Sequence, residues 1–143
     1  LRDGIRVAVS DEVLFASGSA DLDPLGQEVI EKVSRQLASL DHVIEVQGHT
    51  DDRAISDRLS DRFPSNWDLA GARAAAVVRQ MELDGVHGDR LSLTSFASHR
   101  PVAANDSPVG RAQNRRIEIR LRPRSGKTVG EKDAAPQAKL PRP

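Results

Sequence analysis

Apolar and polar residues alternate at Ile5-Arg6-Val7-Ala8-Val9, the period-two pattern of a strand with one buried face. The polar, glycine-containing stretch from Ser17 to Pro24 reads as a loop. Asp23 followed by Pro24 is a helix start, with proline at the first helical position. Leu25, Val29, Val33, Leu37 and Leu40 then recur at helical spacing and predict one apolar stripe. Asp41 and His42 end it, and Val43 to Gln47 reads as a second strand running into Gly48-His49-Thr50-Asp51. A charged loop without period spans Asp52 to Pro64. Ser65 is placed to cap a second helix. Its stripe is Leu69, Ala72, Ala76, Val77 and Leu83, and Gly85 supplies its end. Leu91 to Ala97 predicts a third strand, Ser98 to Asn114 a loop, and Ile117, Ile119 and Leu121 a fourth strand with one wet face.

The predicted order is strand, helix, strand, helix, strand, strand. Most strands show one apolar face and one polar face, so helices need cover only one side of the sheet. The fold class is therefore α+β: a two-layer sandwich with a mixed sheet and its helices on one face. The domain is expected over residues 1–122. From 123 to 143 the periodicity fails and four of the eight prolines cluster, which reads as a disordered tail.

Composition narrows the chemistry. Of 143 residues, 38% are hydrophobic and only 3% aromatic, so the core must be aliphatic. Formal net charge is zero, with 21 basic and 21 acidic residues, which argues against sequence-independent nucleic-acid binding. The chain has no cysteine, which excludes disulfides and thiolate metal sites. No apolar run reaches the roughly 20 residues that span a bilayer. The start at Leu1 rather than Met reads as a fragment, with any anchor or targeting segment upstream.

Arg73 falls four residues after Leu69 and four before Val77, on or beside the core-facing stripe, where an unpartnered cation is unfavourable. Its stem can pack there while its head reaches solvent, or its charge can serve a ligand. Asp51 closes the second strand at a loop boundary, a common ligand position but also an ordinary turn position. His42, His49 and Asp51 match no strong zinc spacing, and no phosphate loop, nucleophile elbow or spaced triad is present. Arg111, Arg115 and Arg116 form a basic cluster suited either to an ion-pair network or to an anion contact. Glycoside hydrolysis would need two carboxyls at a set separation, and no such pair stands out. A domain whose ligand is another protein is the remaining alternative.

Four ordered blocks carry a resemblance: Gly48-His49-Thr50-Asp51; Asn66 and Leu69 leading to Arg73-Ala74; Arg100-Pro101-Val102-Ala103-Ala104-Asn105; and Gly110 through Asn114-Arg115-Arg116 to Ile119. Together with Phe15-Ala16-Ser17-Gly18-Ser19-Ala20 they resemble the OmpA-like (OmpA/MotB) peptidoglycan-binding domain over about residues 5 to 122. The stretch from Asp51 to Asn66 is longer than in OmpA or Pal and is similar to the MotB-type flagellar stator branch. Two positions depart from the family pattern: Leu69-Ala70 replaces Leu-Ser, and Ser95-Phe96-Ala97 replaces Gly-Tyr-Gly.

The resemblance implies a non-catalytic domain without cofactor or metal that binds peptidoglycan. Asp51 and Arg73 would hold the diaminopimelate of the stem peptide. Thr50, Asn66, Leu69 and Asn114 would line the same groove, and Arg115 would contact the ligand or brace the loop. The MotB-type branch further implies a homodimer and a MotA-type membrane partner. It also implies a periplasmic location, with an inner-membrane helix upstream. An outer-membrane or secretion-system tether is the alternative within the family.

Overall fold

A computed structural model describes residues 4–55 and 62–124. Strand β1 (Ile5–Ser10) leads into a single-turn helix α1 (Asp11–Leu14), then helix α2 (Pro24–Ala38) and strand β2 (His42–His49). Helix α3 (Asn66–Leu83), a 3-10 turn (Gly88–Arg90), strand β3 (Leu91–Ala97), helix α4 (Pro108–Asn114) and strand β4 (Arg116–Pro123) complete it. The sheet order is β1-β4-β2-β3; β4 runs antiparallel to both neighbours, and β2 and β3 are parallel. The mixed α+β sheet expected from the alternation is present. Part of the charged loop (56–61) and the tail from 125 onward lie outside the described residues.

Three of the predicted helix ends are observed, whereas α2 stops at Ala38, before Leu40, and His42 already belongs to β2. Asp23 accepts a hydrogen bond from the Gly26 N–H at 2.8 Å, with Pro24 opening α2. Ser65 caps α3 through the Trp67 N–H. Gly85, at φ 107°, closes α3: its own N–H donates to Glu82 and that of Val86 to Met81, the paired bonds of a glycine-terminated helix.

The core lies between the helices and one sheet face. Ile44 and Val46 of β2 and Ile117, Ile119 and Leu121 of β4 pack there with Leu14, Ile30, Val77 and Met81. The helix stripes differ from expectation. On α2 the buried line is Gly26, Ile30, Ser34 and Leu37, while Leu25 is 55% exposed and Leu40 is also exposed. Val29 and Val33 flank that line. On α3, Leu83 is 81% exposed, and the end of the stripe is Met81 instead. Ile5 and Val7 also remain exposed, because β1 is an edge strand beyond the cover of α3, which packs on β2 and β3.

The segment Ser98–Asn114, expected as a loop, contains α4, capped by Ser107 and opened by Pro108. It does not join the helical layer. Ala112 and Gln113 border a cavity of about 270 Å³ with Arg6, Ala8, Arg116 and Glu118, whose positions alternate with those of the core. Ala97 takes φ 50°, so the left-handed backbone that glycine would adopt freely at the end of β3 is retained by a residue that adopts it at a cost of about 1 kcal/mol.

The sheet face away from α2 and α3 carries a polar network. Glu118 is 1% exposed and accepts from Arg116 at 2.7 Å and Arg120 at 2.9 Å. Burial works to raise its pKa, but these bonds hold the carboxyl below its ordinary value. His49 stacks on Phe96 with ring centroids 5.3 Å apart. Burial, reinforced by the charge of Arg116, pushes His49 from 6.5 down to about 4. The unfolded chain therefore binds more protons than the folded one between those values. Stability is complete above about pH 6.5 and falls as pH drops toward 4, by at most about 3 kcal/mol from this group. Urea denaturation at about pH 7 and about pH 5 should show this loss in the parent protein, and His49→Gln should reduce it.

Candidate functional site

Asp51 and Arg73 line one cleft. Its volume is about 900 Å³, and its walls include Asp11, Phe15, Thr50, Asn66, Leu69 and Arg115. The end of β2 supplies Thr50 and Asp51, and α3 supplies Arg73. They are brought together because β2 and α3 approach closely at Gly48, where a Cβ would lie 2.2 Å from the Ala70 carbonyl oxygen.

Each charge in the cleft already has an opposite neighbour. Arg73, 7% exposed, donates from Nη1 to Asp11 Oδ2 at 2.9 Å and from Nε to the Ser19 carbonyl at 2.9 Å. Its guanidinium lies 5.0 Å from the centre of the Phe15 ring. Arg115 donates from Nη1 to Asp51 Oδ2 at 2.7 Å, and its Nε lies 3.7 Å from the same Asp11 Oδ2 that Arg73 contacts. The result is a chain of alternating charge: Asp51, Arg115, Asp11, Arg73. At its margin the more exposed Arg53 pairs with Asp51 and Glu12 with Arg115.

The remaining expected residues divide into two groups. Thr50 is buried, donating its N–H to Ala97 and its hydroxyl to the Asp51 carbonyl, which fixes the backbone carrying the acid. Asn66 donates to the Arg53 carbonyl and ties the segment after Asp51 to the start of α3. Leu69 packs with Ala20 and Phe63 in a small second apolar cluster. Asn114 does not line the cleft, contrary to expectation. It is fully buried, accepts from the N–H groups of Val102 and Ala103, and donates to the Ala103 carbonyl and Asn105. Its four hydrogen bonds are spent holding the 102–105 loop.

The basic cluster is separated by the fold. Arg111 bonds the Asn105 carbonyl, Arg116 joins Glu118 on the other sheet face, and only Arg115 enters the cleft. Among the described residues no group of three or more His, Cys, Asp or Glu could hold a metal ion.

Asp11 was not singled out by sequence. Burial pushes its carboxyl above the ordinary value, against the pull of Arg73 and Arg115. Its Oδ1 is buried without a hydrogen-bond partner. The signal available was Ser10-Asp11-Glu12, a capping hydroxyl with acids in the first turn. One turn is too short to register as periodicity.

Comparison with known proteins agrees with this architecture. The OmpA family model matches residues 14–115. Motility protein B of Bacillus subtilis is 28% identical over 135 residues, covering 91% of this chain and 49% of that protein. A putative MotB like protein from Desulfovibrio vulgaris superposes with a TM-score of 0.80 at 32% identity, covering 85% of this chain and 77% of that one. The cell wall anchor of the T6SS from Pseudomonas aeruginosa has a TM-score of 0.75 at 33% identity, covering 82% and 80%. The chain spans about half the length of the first curated relatives it matches, 47% and 49%. Of these relatives, the Bacillus subtilis protein is named for motility and the Pseudomonas aeruginosa structure as a cell wall anchor. The family match runs from the buried end of α1 to the arginine that enters the cleft, and the chain belongs to the OmpA family.

Proposed function

We propose that this chain is the peptidoglycan-binding domain of a cell-envelope protein and that it grips, without breaking any bond, the diaminopimelate of the stem peptide. The side chain of that residue ends in an ammonium and a carboxylate close together. Asp51 would take the ammonium, and Arg73, with Arg115 beside it, would take the carboxylate through charge-assisted hydrogen bonds. Thr50, Asn66 and Leu69 would shape the walls, and Asn114 the adjoining loop. The observation that carries the reading is the shared cleft in which acids and guanidiniums alternate.

The reading extends to a MotB-type flagellar stator. The similarity to motility protein B and to the MotB-like structure supports it. In that setting the domain would be periplasmic and work as a homodimer. An inner-membrane segment upstream would anchor it and engage a MotA-type partner. A secretion-system or outer-membrane tether is the second reading, favoured by the similarity to the T6SS anchor.

Two experiments test these statements. Purified chain should co-sediment with wall sacculi, and a soluble diaminopimelate-containing stem peptide should release it. Failure of the peptide to compete would reject the ligand. Deleting the gene in its host should abolish swimming if the protein serves a stator, whereas unimpaired swimming would favour the tether.

A further inference from the structure

Asp11 occupies an unusual place in the cleft. It is 8% exposed, and a single one of its oxygens faces both Arg73, at 2.9 Å, and Arg115, at 3.7 Å. Its other oxygen is buried without any donor. A buried carboxylate with a bare oxygen is a poor stabilising device, because desolvation of the unpaired atom opposes the gain from the ion pairs. It also lies upstream of the family-matched stretch, which begins at residue 14. Its effect on the charge of the cleft is plain. Without Asp11, the inner wall would hold two guanidiniums against the single carboxylate of Asp51. With it, two cations face two anions.

We infer that Asp11 is a specificity-determining residue: by neutralising one guanidinium of the Arg73–Arg115 pair, it makes the cleft select a zwitterionic end group over a simple anion. This deepens the diaminopimelate reading and rests on it. A cleft with surplus positive charge would bind any carboxylate that could enter, including peptides whose side chain ends in an acid alone. The balanced cleft offers no net attraction to such a ligand. A ligand carrying both charges gains at both ends, its carboxylate against the guanidiniums and its ammonium against Asp51.

The test compares two probes on each protein by calorimetry: a stem peptide containing diaminopimelate, and the same peptide with the free side-chain amine acetylated, which leaves only the anion. The parent protein should strongly prefer the first. In Asp11→Asn, which keeps the side-chain shape, the ratio of the two affinities should shift toward the acetylated peptide by roughly tenfold or more, because one unit of negative charge has left the cleft. Arg115→Gln, which removes a cation instead, should move the ratio the opposite way. It also keeps the test decisive if Asp11→Asn folds poorly. An equal loss for both probes in Asp11→Asn would mean that Asp11 merely braces the arginines and would overturn the inference. Unchanged ratios in both variants would overturn it too, while leaving the diaminopimelate reading intact. Absence of binding by the parent protein to either probe would instead remove the underlying reading, and this inference with it.

Discussion

Arg73→Lys should weaken binding of the diaminopimelate peptide by about a hundredfold or more, the scale of one to two charge-assisted hydrogen bonds. The guanidinium is committed in two directions. Its Nε holds the Ser19 carbonyl and its Nη1 holds Asp11, while its Nη2 has no hydrogen-bond partner among the described residues and would be the group offered to a ligand. A lysine ammonium is a compact point charge on a flexible stem and cannot reproduce that planar arrangement. It can satisfy Asp11 or the Ser19 carbonyl, but not both together with a ligand. Lysine is nevertheless the informative substitution. Arg73→Ala would leave Asp11 buried without its closest partner, at about 3–5 kcal/mol, so lost binding could reflect lost folding. Calorimetric titration paired with a thermal melt separates the two effects. If Arg73→Lys bound the peptide as tightly as the parent protein, Arg73 could not be the carboxylate's partner.

Gly48→Ala should destabilise the fold by about 3 kcal/mol and reduce binding even in the molecules that remain folded. The added Cβ would lie 2.2 Å from the Ala70 oxygen and 2.8 Å from the Ala70 carbonyl carbon. These are backbone atoms within a helix, so relief requires α3 to lift away from β2. Asp51 follows Gly48 by three residues, and Arg73 follows Ala70 by three, so the same displacement opens the distance between acid and guanidinium. In a domain of this size the loss corresponds to a melting temperature lower by on the order of 10 °C. Gly71→Ala, one position along the helix, is the control. A Cβ there meets only Ser95 at 3.7 Å, and alanine should stabilise α3 by up to about 1 kcal/mol. Denaturant melts of the two variants should therefore move in opposite directions, and equal stability of Gly48→Ala and the parent would refute the close-approach argument.

Where an element was long and regular, its pattern was readable. β4 shows Ile117, Ile119 and Leu121 inward as read, although Arg116 and Glu118 on its expected wet face are buried, and α3 begins and ends where Ser65 and Gly85 indicate. Single-turn α1 and seven-residue α4 were not readable, because one or two turns leave too few positions for a period to emerge. The α2 stripe was read as Leu25, Val29, Val33, Leu37 and Leu40, yet Ile30 and Ser34 lie deepest, since the angle at which the helix meets the sheet chooses among neighbouring rows. In the cleft, Asp51, Arg73, Thr50, Asn66, Leu69 and Arg115 were named from motif resemblance and line one space. Asn114 was named with them and is instead enclosed behind its loop.

The sequence by itself determined the order of the four strands and two long helices, the caps at Asp23, Ser65 and Gly85, the aliphatic core and the presence of an acid at a strand end near an arginine on a helix stripe. These are local properties, set by residues a few positions apart. Only the tertiary structure decided how the charges pair. Asp11 meets Arg73 across 62 positions of chain, and Arg115 meets Asp51 across 64. Of three neighbouring arginines, one enters the cleft while Arg116 turns to the opposite sheet face. Coulombic partners are chosen by distance and burial after the chain has folded, and neither can be read from spacing along it.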